Sequence, residues 1–533
     1  MTLPATTSSP PALDEPAKLI DIVSMRAPDD DRRVRLVDGE HSWTARQLRN
    51  EVARCVVDLQ AHGVRPGERL LAVLDHDVHA AVVLAAASAL GLHLIMPYGL
   101  HSAALPEWLA IVRTARPGLV LHARHDPAGA AELAGAGVRV VRLPRPSEPA
   151  PDAEVEELHP EPVPGFLVLF SSGTTGAPKG MSIPEALITR KIASISGQLR
   201  FAPQSRILMT GLMNNTTGVI FTFGGLLRGS TVVFPRSADP ASWPARVRQH
   251  RITHLQLRPV ALKQFITATA AAALDLSGLE VIAYGGGAVP RAVIAEGRRL
   301  LPGDWVQGYG LSETYGPFCW LDEAAHRQGR HLGQVYCVGR PDDTVEVRLE
   351  PAEGHPDGVG EVLVRGAVME GYLDVATGTL RGPDPWLRTG DLACWSPDGD
   401  LVLKGRRAGA LLTGNGHRIY PEEIEAVLAN VPGADDVVLV GVPQPDTHQE
   451  RPVAVLCGPL AQQDGDAVVR LVVRELARTL AREKWPDLVY VTAQPFPESA
   501  NGKVRRGEVA AAVDPRRLLD LSSAQADRPE VAR

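Results

Sequence analysis

Short apolar runs rich in β-branched residues alternate along the chain with longer segments rich in alanine, leucine and arginine. Examples are RLLAVL at 69–74 before AAVVLAAASALG at 80–91, STVVFP at 230–235 before PASWPARVRQH at 240–250, and ITHLQL at 252–257 before ALKQFITATAAAAL at 261–274. A strand followed by a helix, repeated in this way, is typical of βα units around a mainly parallel sheet. The pattern therefore predicts an α/β fold for the first part of the chain.

The pattern changes from residue 333 onward. TVEVRLE at 344–350, GEVLVRG at 360–366 and DLVLKG at 400–405 are separated by turns of Gly, Asp and Pro, which predicts an antiparallel β subdomain. After Arg406 a second α/β pattern begins with PEEIEAVLANV at 421–431. We therefore expect a domain junction near Arg406.

These patterns divide the chain into two predicted domains. Residues 19–405 form a large N-terminal domain of α/β subdomains plus the antiparallel β subdomain, and residues 406–520 form a small, mobile α+β C-terminal domain. Residues 1–18 and 520–533 are polar or poor in large apolar residues, and we leave them out of the predicted fold. The segment 142–165 carries seven prolines and is predicted to be a surface linker.

Composition narrows the class of function. The formal net charge is −7 and the chain lacks a long basic cluster, which argues against nucleic acid as the main partner. The start of the chain lacks a signal-peptide pattern and no apolar run approaches eighteen residues, which argues against secretion and a membrane span. The five cysteines lack metal-ligand spacing, and their odd number does not indicate a disulfide framework. A cytoplasmic protein that acts on small molecules is the expectation.

The segment SSGTTGAPKG at 171–180 follows the apolar run FLVLF at 166–170. Its glycines let backbone N–H groups approach an anion, its hydroxyls add donors, and Lys179 adds positive charge, a combination that suits a polyphosphate. The segment is not a Walker motif, because Pro178 and Gly180 flank the lysine where that motif has Gly and a hydroxyl residue. A flexible Ser/Gly loop is the alternative interpretation.

Three further segments make a family resemblance specific. LFSSGTTGAPKG resembles the phosphate-binding signature of the adenylate-forming superfamily, which includes acyl-CoA synthetases, carrier-protein adenylation domains and luciferases. QGYGLSET at 307–314, LRTGDLACWSPDGDLVLKGR at 387–406 and PESANGKVRR at 497–506 resemble its other elements in order and spacing. The resemblance implies attack of an oxyanion on the α-phosphate of ATP, giving an adenylate and pyrophosphate.

The resemblance also assigns roles to individual residues. ATP and Mg²⁺ are the implied cofactors, with CoA as a further candidate. Glu313 is expected to bind Mg²⁺, because this hard cation prefers carboxylate oxygen. Asp391 is expected to accept both ribose hydroxyls, and Arg406 to reach ribose or phosphate, although an arginine there could equally pair with a carboxylate. The predicted ATP-binding set is Ser171, Ser172, Gly173, Thr174, Thr175, Gly176, Lys179, Tyr309, Gly310, Ser312, Asp391 and Arg406.

The second predicted catalytic residue, besides Glu313, is Lys503 in NGK at 501–503. By resemblance it would reach the attacking carboxylate and the α-phosphate, where charge develops during transfer. In the family the small C-terminal domain swings after adenylation and removes this lysine. At the hinge the family usually has Asp or Lys where this chain has Ala408, so a swing is still expected but a charged latch is not.

The acid pocket is predicted to be polar. MTGLMNNTTGVIF at 209–221 carries Asn214 and Asn215, whose amides suit a small polar substrate or, equally, cap the following helix. Arg258 could clamp an anion or pair with a nearby acid. Gly285, Gly286 and Gly287 in AYGGGAVP permit close approach of the backbone to a ligand.

Several functions stay open at this stage. The first is activation of a small polar or aryl carboxylic acid as its acyl-AMP, followed by transfer to a thiol of CoA or a carrier protein. The second is activation of nitrite for reaction with an aryl amine, as in ATP-dependent diazotases, and luciferase-like oxidation has no separate support. A non-catalytic nucleotide-binding relative is a different class, and the presence of Lys179, Glu313, Asp391 and Lys503 argues against it.

Overall fold

The computed structural model describes most of the 533-residue chain. The described residues are 16–24, 32–96, 111–112, 115–122, 131, 133–135, 139–141, 143, 166–171, 179–235, 237–287, 289, 291–330, 337–352, 358–373, 380–382, 385–407, 411–412, 418–419, 421–443, 450–480, 482, 485–498 and 504–521.

The largest sheet has 13 strands. In spatial order these are Val345–Pro351, Gly360–Gly366, Leu387–Trp395, Leu401–Arg406, Cys337–Pro341, Gly316–Leu321, Asp304–Leu311, Val281–Gly285, His254–Leu257, Arg206–Leu208, Thr231–Phe234, Val34–Asp38 and His41–Thr44. The neighbours from Asp304–Leu311 to Val34–Asp38 pair in parallel, as the βα pattern predicts. The strands of this sheet from 337 to 406 pair antiparallel, as predicted from residue 333 onward. The strand Gly316–Leu321, which lies before the predicted subdomain, is also antiparallel to its neighbours, and the pairing of Cys319 with Pro341 joins both parts into one sheet.

A second sheet has eight strands. Their spatial order is Leu380–Arg381, Gly371–Leu373, Lys179–Ile183, Leu167–Ser171, His93–Met96, Arg69–Val73, Leu119–His122 and Val140–Val141. The helix Val78–Ala89 is buried at every position, because its sequence VHAAVVLAAASA is apolar around the whole circumference. It shares one hydrophobic core with residues of both sheets, among them Leu36 and Leu94, so this core lies between the two sheets.

The other α-helices cover the sheets or end the chain. They are Leu19–Ser24, Ala45–Ala61, Glu185–Gln198, Thr216–Leu227, Trp243–Gln249, Pro259–Ala272, Arg291–Leu300, Glu323–Arg327, Pro421–Leu428, Gly465–Thr479 and Arg506–Ala512. Within the described residues, short 3₁₀ helices span Pro240–Ser242, Pro459–Gln462 and Pro515–Arg517. The helix Ala45–Ala61 begins with a capping box in which Thr44 and Gln47 each bind the other's backbone N–H.

The C-terminal part has a sheet and cores of its own. Strands Asp436–Pro443, Glu450–Cys457, Leu488–Thr492 and Leu519–Asp520 form a four-stranded sheet, and a separate pair joins Leu411–Leu412 to Arg418–Ile419. Val468 and Leu476 of the helix Gly465–Thr479 pack against Ile424 of the helix Pro421–Leu428. The predicted fold class, a large α/β part with antiparallel strands and a smaller α+β part, is confirmed.

The predicted first and last residues of the fold need correction. Lys18 is buried, and Leu521 is fully buried with its N–H donating to Asp487 O. Leu521 belongs to the fold because its side chain completes the C-terminal core. Of the predicted linker 142–165, only Leu143 lies within the described residues, and it is buried.

The cysteines carry no disulfide. Cys55, Cys319, Cys337 and Cys457 are buried, whereas Cys394 is half-buried. Burial raises the pKa of Cys55 to about 12 and raises that of Cys319. Among the described helices, none combines the length and apolar character that a membrane crossing requires.

Candidate active site

Several predicted site residues meet at one edge of the large sheet. Arg258 directly follows the strand His254–Leu257, and Gly286 and Gly287 directly follow the neighbouring strand Val281–Gly285. Both strands run parallel, so their carboxyl ends lie at the same edge. Ligands of open α/β sheets bind in the crevice outside these ends.

The glycines at this edge are required by close contacts. A Cβ on Gly285 would lie 2.3 Å from the carbonyl oxygen of Gly308, and Gly286 has a φ of +80°. A Cβ on Gly286 would lie 3.7 Å from Arg258 Nε, and one on Gly287 would lie 3.2 Å from Pro259 Cγ. The exposed Arg258 side chain therefore lies beside the glycine segment, as a role in binding an anion requires.

The two asparagines play different parts. Asn215 is the N-cap of the helix Thr216–Leu227, and its Oδ1 accepts the Gly218 N–H at 3.1 Å. The capping interpretation thus applies to Asn215. Asn214 is 7% exposed and precedes this cap. For Asn214 the contact with a substrate stays a prediction.

The predicted ribose site is a hydrogen-bonded group of three side chains. Tyr309 donates its hydroxyl proton to Asp391 Oδ2 at 2.6 Å, and Arg406 Nε lies 2.8 Å from Asp391 Oδ1. Asp391 and Arg406 are paired across neighbouring antiparallel strands, so the backbone fixes their proximity. Each carboxylate oxygen retains capacity for a further donor, because an ionised carboxylate has about four lone-pair sites.

Burial changes the pKa values of Asp391 and Tyr309. It raises the pKa of Asp391, against the opposing effects of Arg406 and the Tyr309 hydrogen bond. It also raises the pKa of Tyr309, and the Asp391 charge adds to that effect. Tyr309 therefore stays protonated and remains a donor to Asp391.

A tight turn presents Glu313. A Cβ on Gly310 would lie 2.1 Å from the Gly316 carbonyl oxygen, so the chain can reverse this closely only at glycine. Thr314 Oγ1 accepts the Leu311 N–H at 3.0 Å and Tyr315 adopts a φ of +47°. Ser312 is exposed on the turn and Glu313 is half-buried.

Tyr372, which the sequence did not indicate, contacts the Glu313 side chain. Its hydroxyl donates to Glu313 Oε1 at 2.8 Å, and Met369 N–H donates to the Glu313 carbonyl oxygen at 2.7 Å. No motif resemblance pointed to Tyr372, and 59 residues separate it from its partner in the chain.

The predicted phosphate loop closes a β-hairpin of the smaller sheet. Strands Leu167–Ser171 and Lys179–Ile183 pair antiparallel with Ser171 opposite Lys179. The strand Gly371–Leu373 pairs on the other side of Lys179–Ile183, with Tyr372 opposite Met181. The predicted residues Ser172, Gly173, Thr174, Thr175 and Gly176 lie outside the described residues, as does the side chain of Lys179.

Lys503 and the hinge residue Ala408 also lie outside the described residues. The chain on either side of 499–503 is anchored: Glu498 and Val504 form an isolated bridge, and Arg505 N–H donates to Pro497 O at 2.8 Å. Arg506 then forms a bidentate ion pair with Glu425. The flanks of the lysine segment are thus attached to the C-terminal core.

The residues fit a magnesium ion that is held mainly by other ligands. Among the described residues, no three His, Cys, Asp or Glu side chains are grouped as a metal cluster. Protein-bound Mg²⁺ usually takes one or two carboxylates together with phosphate oxygens and waters. Glu313 supplies the one carboxylate that such an ion requires.

The buried Lys191 is a second residue that the sequence did not indicate. Lys191 is fully buried on the helix Glu185–Gln198, and its Nζ donates to Pro317 O at 2.6 Å and lies 3.7 Å from Asp342 Oδ2. The hydrophilic lysine in KIASIS gave no sign of burial, because its partners come from distant strands. Lys191 therefore holds the backbone at Pro317, which directly follows the turn.

Comparison with known proteins identifies the family of this chain. The AMP-binding enzyme family matches residues 24–373. A feruloyl-CoA synthase of an Amycolatopsis species is 27% identical over 482 residues, covering 88% of this chain and 94% of the relative.

Two solved structures have the same fold. The o-succinylbenzoate CoA synthetase of Bacillus subtilis, in complex with its acyl-adenylate intermediate, superposes with a TM-score of 0.77 at 22% identity, covering 93% of this chain and 98% of that chain. An amide bond synthetase of Marinactinospora thermotolerans superposes with a TM-score of 0.78 at 24% identity, covering 92% of this chain and 98% of that chain. With the family match spanning most of the chain, this protein belongs to the AMP-binding enzyme family and is an ATP-dependent, AMP-forming ligase.

Proposed function

We propose that this ligase activates a small polar or aryl carboxylic acid as its acyl-AMP and then transfers the acyl group to a thiol of CoA or of a carrier protein. The Tyr309, Asp391 and Arg406 group is the observation that carries the proposal, because it prepares a buried carboxylate for a ribose beside the turn that presents Glu313. The other predicted ATP-binding residues are proposed in the same roles.

The first step forms one bond and breaks one. A carboxylate oxygen of the substrate attacks the α-phosphorus of ATP, and the bond to the β-phosphate oxygen breaks so that pyrophosphate leaves with the electron pair. Glu313 would hold Mg²⁺, which would supply positive charge to the phosphate oxygens. Lys503 is proposed to stabilise the charge that develops during the attack.

In the second step the thiol sulfur attacks the acyl carbon and AMP leaves. We propose that residues 19–405 and 406–520 act as separate domains and that the C-terminal one rotates between the steps. The junction at Ala408 and Gly409 would allow this through small side chains instead of a charged latch.

The polar edge of the sheet supports the substrate class. Arg258 lies beside Gly286, and the buried Asn214 belongs to the same predicted acid pocket. A guanidinium can bind a carboxylate in a bidentate manner, which favours acids with a second polar group. The feruloyl and o-succinylbenzoyl substrates named for the relatives are aromatic acids with polar substituents, and they support an aryl acid here.

Pyrophosphate release tests the proposal. The purified protein is incubated with Mg·ATP and a panel of aryl acids, amino acids, short acyl acids and nitrite. Release with one carboxylic acid, reduced about 100-fold in Lys503→Ala, is the expected result, because loss of one preorganised charge donor costs about that factor. The half-buried Lys404, replaced with Ala, serves as a charge-matched control.

Nitrite is the second candidate substrate. Arg258 beside the open glycine segment would also suit so small an anion. Release with nitrite alone would favour this alternative, in which an aryl amine takes the place of the thiol. ATP binding without release across a broad acid panel would instead contradict the proposed substrate class.

A further inference from the structure

The segment Met369–Leu373 connects the two sides of the predicted ATP site. Met369 N–H donates to the Glu313 carbonyl oxygen at 2.7 Å. Glu370 N–H donates to Ser182 O at 2.9 Å, and Ser182 Oγ donates to Glu370 Oε2 at 2.9 Å. One short segment thus binds both the turn that carries Glu313 and the strand that follows the phosphate loop.

Tyr372 contributes to both connections, one through its backbone and the other through its side chain. Its backbone lies opposite Met181 in the eight-stranded sheet, two residues beyond Lys179. Its hydroxyl donates to Glu313 Oε1 at 2.8 Å, and Glu313 lies on the turn between two strands of the 13-stranded sheet. The preceding Gly371 has a φ of +156°, and a Cβ there would lie 2.4 Å from Arg381 O, so the local backbone is closely constrained.

This hydrogen bond restricts the Glu313 carboxylate. A glutamate on a turn can otherwise rotate about its last torsion, which is broad and roughly two-fold. Within the described residues Oε1 accepts the Tyr372 hydroxyl, and no hydrogen bond to Oε2 is present. Oε2 is therefore the oxygen left available for a cation.

The Tyr372 hydroxyl is the donor of this hydrogen bond, because an ionised carboxylate can only accept. The ring also packs against the main hydrophobic core, so part of its contribution is structural and independent of the hydroxyl.

We propose that Tyr372 is a positioning residue for the magnesium ion of bound ATP, fixing the Glu313 carboxylate with its hydroxyl and tying it to the phosphate-loop hairpin through its strand. The inference rests on the proposed role of Glu313 as the magnesium ligand. Tyr372 acts through Glu313 and does not itself touch the substrate.

Nucleotide binding in the absence of any acid tests this. Calorimetric titrations measure the affinity for ATP over a series of Mg²⁺ concentrations, and separately the affinity for AMP with EDTA, for the parent and for Tyr372→Phe. Tyr490→Phe is the matched control, because it removes a hydroxyl from a buried tyrosine in the C-terminal sheet. Thermal unfolding of all three proteins without nucleotide reports on the structural role of the ring.

We expect Tyr372→Phe to weaken Mg·ATP binding about 10-fold or more, since loss of a partner of a metal ligand typically costs 10–100-fold. AMP binding should be unchanged, because AMP lacks the phosphates that share the ion. Equal Mg²⁺ dependence in parent and variant would overturn the inference, as would an equal loss of AMP affinity.

The proposed function has a separate readout. A parent that binds ATP in a Mg²⁺-dependent way but releases no pyrophosphate with any acid contradicts the proposed function, and the Tyr372→Phe comparison still stands. A parent whose ATP affinity does not respond to Mg²⁺ contradicts the role of Glu313, and the inference falls with it.

Discussion

At the scale of single residues, Asp391 is the centre of the proposed nucleotide site. It is buried, it accepts the Tyr309 hydroxyl, and it faces Arg406 across a strand pair. The sequence left two interpretations of Arg406, a contact to nucleotide or a pair with a carboxylate. The structure shows the pair, and the paired carboxylate is the one proposed to bind ribose.

Replacing Asp391 with Asn should weaken AMP binding about 10-fold or more. The amide keeps the shape of the side chain but loses the charge, and hydrogen bonds to charged groups contribute about 1.5–3 kcal/mol each. Calorimetric titration with AMP measures the change. Asp398→Asn, an exposed substitution in the same hairpin, should bind AMP like the parent; equal affinities for all three proteins would rule out the ribose role.

Local motif chemistry was predictable at this scale, whereas partners distant in the chain were not. Asn215 caps a helix, which was one of two interpretations that its sequence allowed. Tyr372 and Lys191 gave no signal, because what makes each of them notable is a partner 59 and 126 residues away. Spacing within a motif reports on neighbours along the chain and carries little information about contacts between sheets.

At the scale of elements, Lys191 joins three pieces of structure. It lies on the helix Glu185–Gln198, it binds the Pro317 carbonyl at the start of one strand, and it faces Asp342 just after another. Burial lowers the pKa of Lys191 and the Asp342 charge opposes that shift. Trp320 Nε1 also donates to Asp342 Oδ2 at 3.0 Å, so the carboxylate is held from two sides.

Lys191→Met should destabilise the protein by about 3 kcal/mol, because removing one partner leaves the other charge buried without compensation. Urea denaturation measures the free energy of unfolding. Lys191→Met combined with Asp342→Asn should recover part of the loss, since the orphaned charge is then gone. A double variant no more stable than the single one would show that the Pro317 contact, and not the ion pair, carries the effect.

The N-cap of the helix Val78–Ala89 should make stability depend on pH. Burial, with the nearby Asp38 charge, raises the pKa of Asp77 from 3.8 to about 6. Between these values the folded state holds a proton that the unfolded state has lost, so the free energy of unfolding falls as pH rises from about 4 to 6. A shift of about two units corresponds to about 3 kcal/mol.

Asp77→Asn removes this dependence while retaining a good N-cap side chain. The variant should gain stability relative to the parent as pH rises from 4.5 to 7, measured by urea denaturation at each pH. A difference that stays constant over this range would contradict the raised pKa.

The elements themselves were largely predictable, because strand and helix periods are properties of the local sequence. The parallel order around 206–311 followed from the alternation of strand and helix patterns, and the antiparallel order around 337–406 followed from the turns of Gly, Asp and Pro. Their fusion into one sheet did not, since the pairing of Cys319 with Pro341 depends on how two separately predicted units meet.

At the scale of the whole molecule, contacts among the described residues join the C-terminal part to the large part. Lys263 Nζ donates to Asp435 O at 2.6 Å, joining the helix Pro259–Ala272 to the segment before the four-stranded sheet. The proposed rotation of the C-terminal part would have to break such a contact. An exposed lysine bound to a single carbonyl is easily released to water, which is compatible with a movable arrangement.

If the C-terminal part carries Lys503 only into the first step, the two half-reactions should separate. Lys503→Ala should lose about 100-fold in acyl-adenylate formation, because the charge donor is absent. With synthetic acyl-AMP and the thiol supplied, thioester formation should proceed at the parental rate. Single-turnover assays of each step measure this, and an equal loss in both steps would contradict the division of labour.

The burial of the cysteines bears on how such motion could be observed. Four of the five thiols are inaccessible, and only Cys394 is half-exposed. Brief alkylation of the folded protein should therefore give a single adduct, at Cys394, in peptide mass spectrometry. With Cys394→Ser as background, a cysteine introduced on each part of the molecule would accept a fluorophore without competition, so energy transfer between two dyes could report the distance across the junction during turnover.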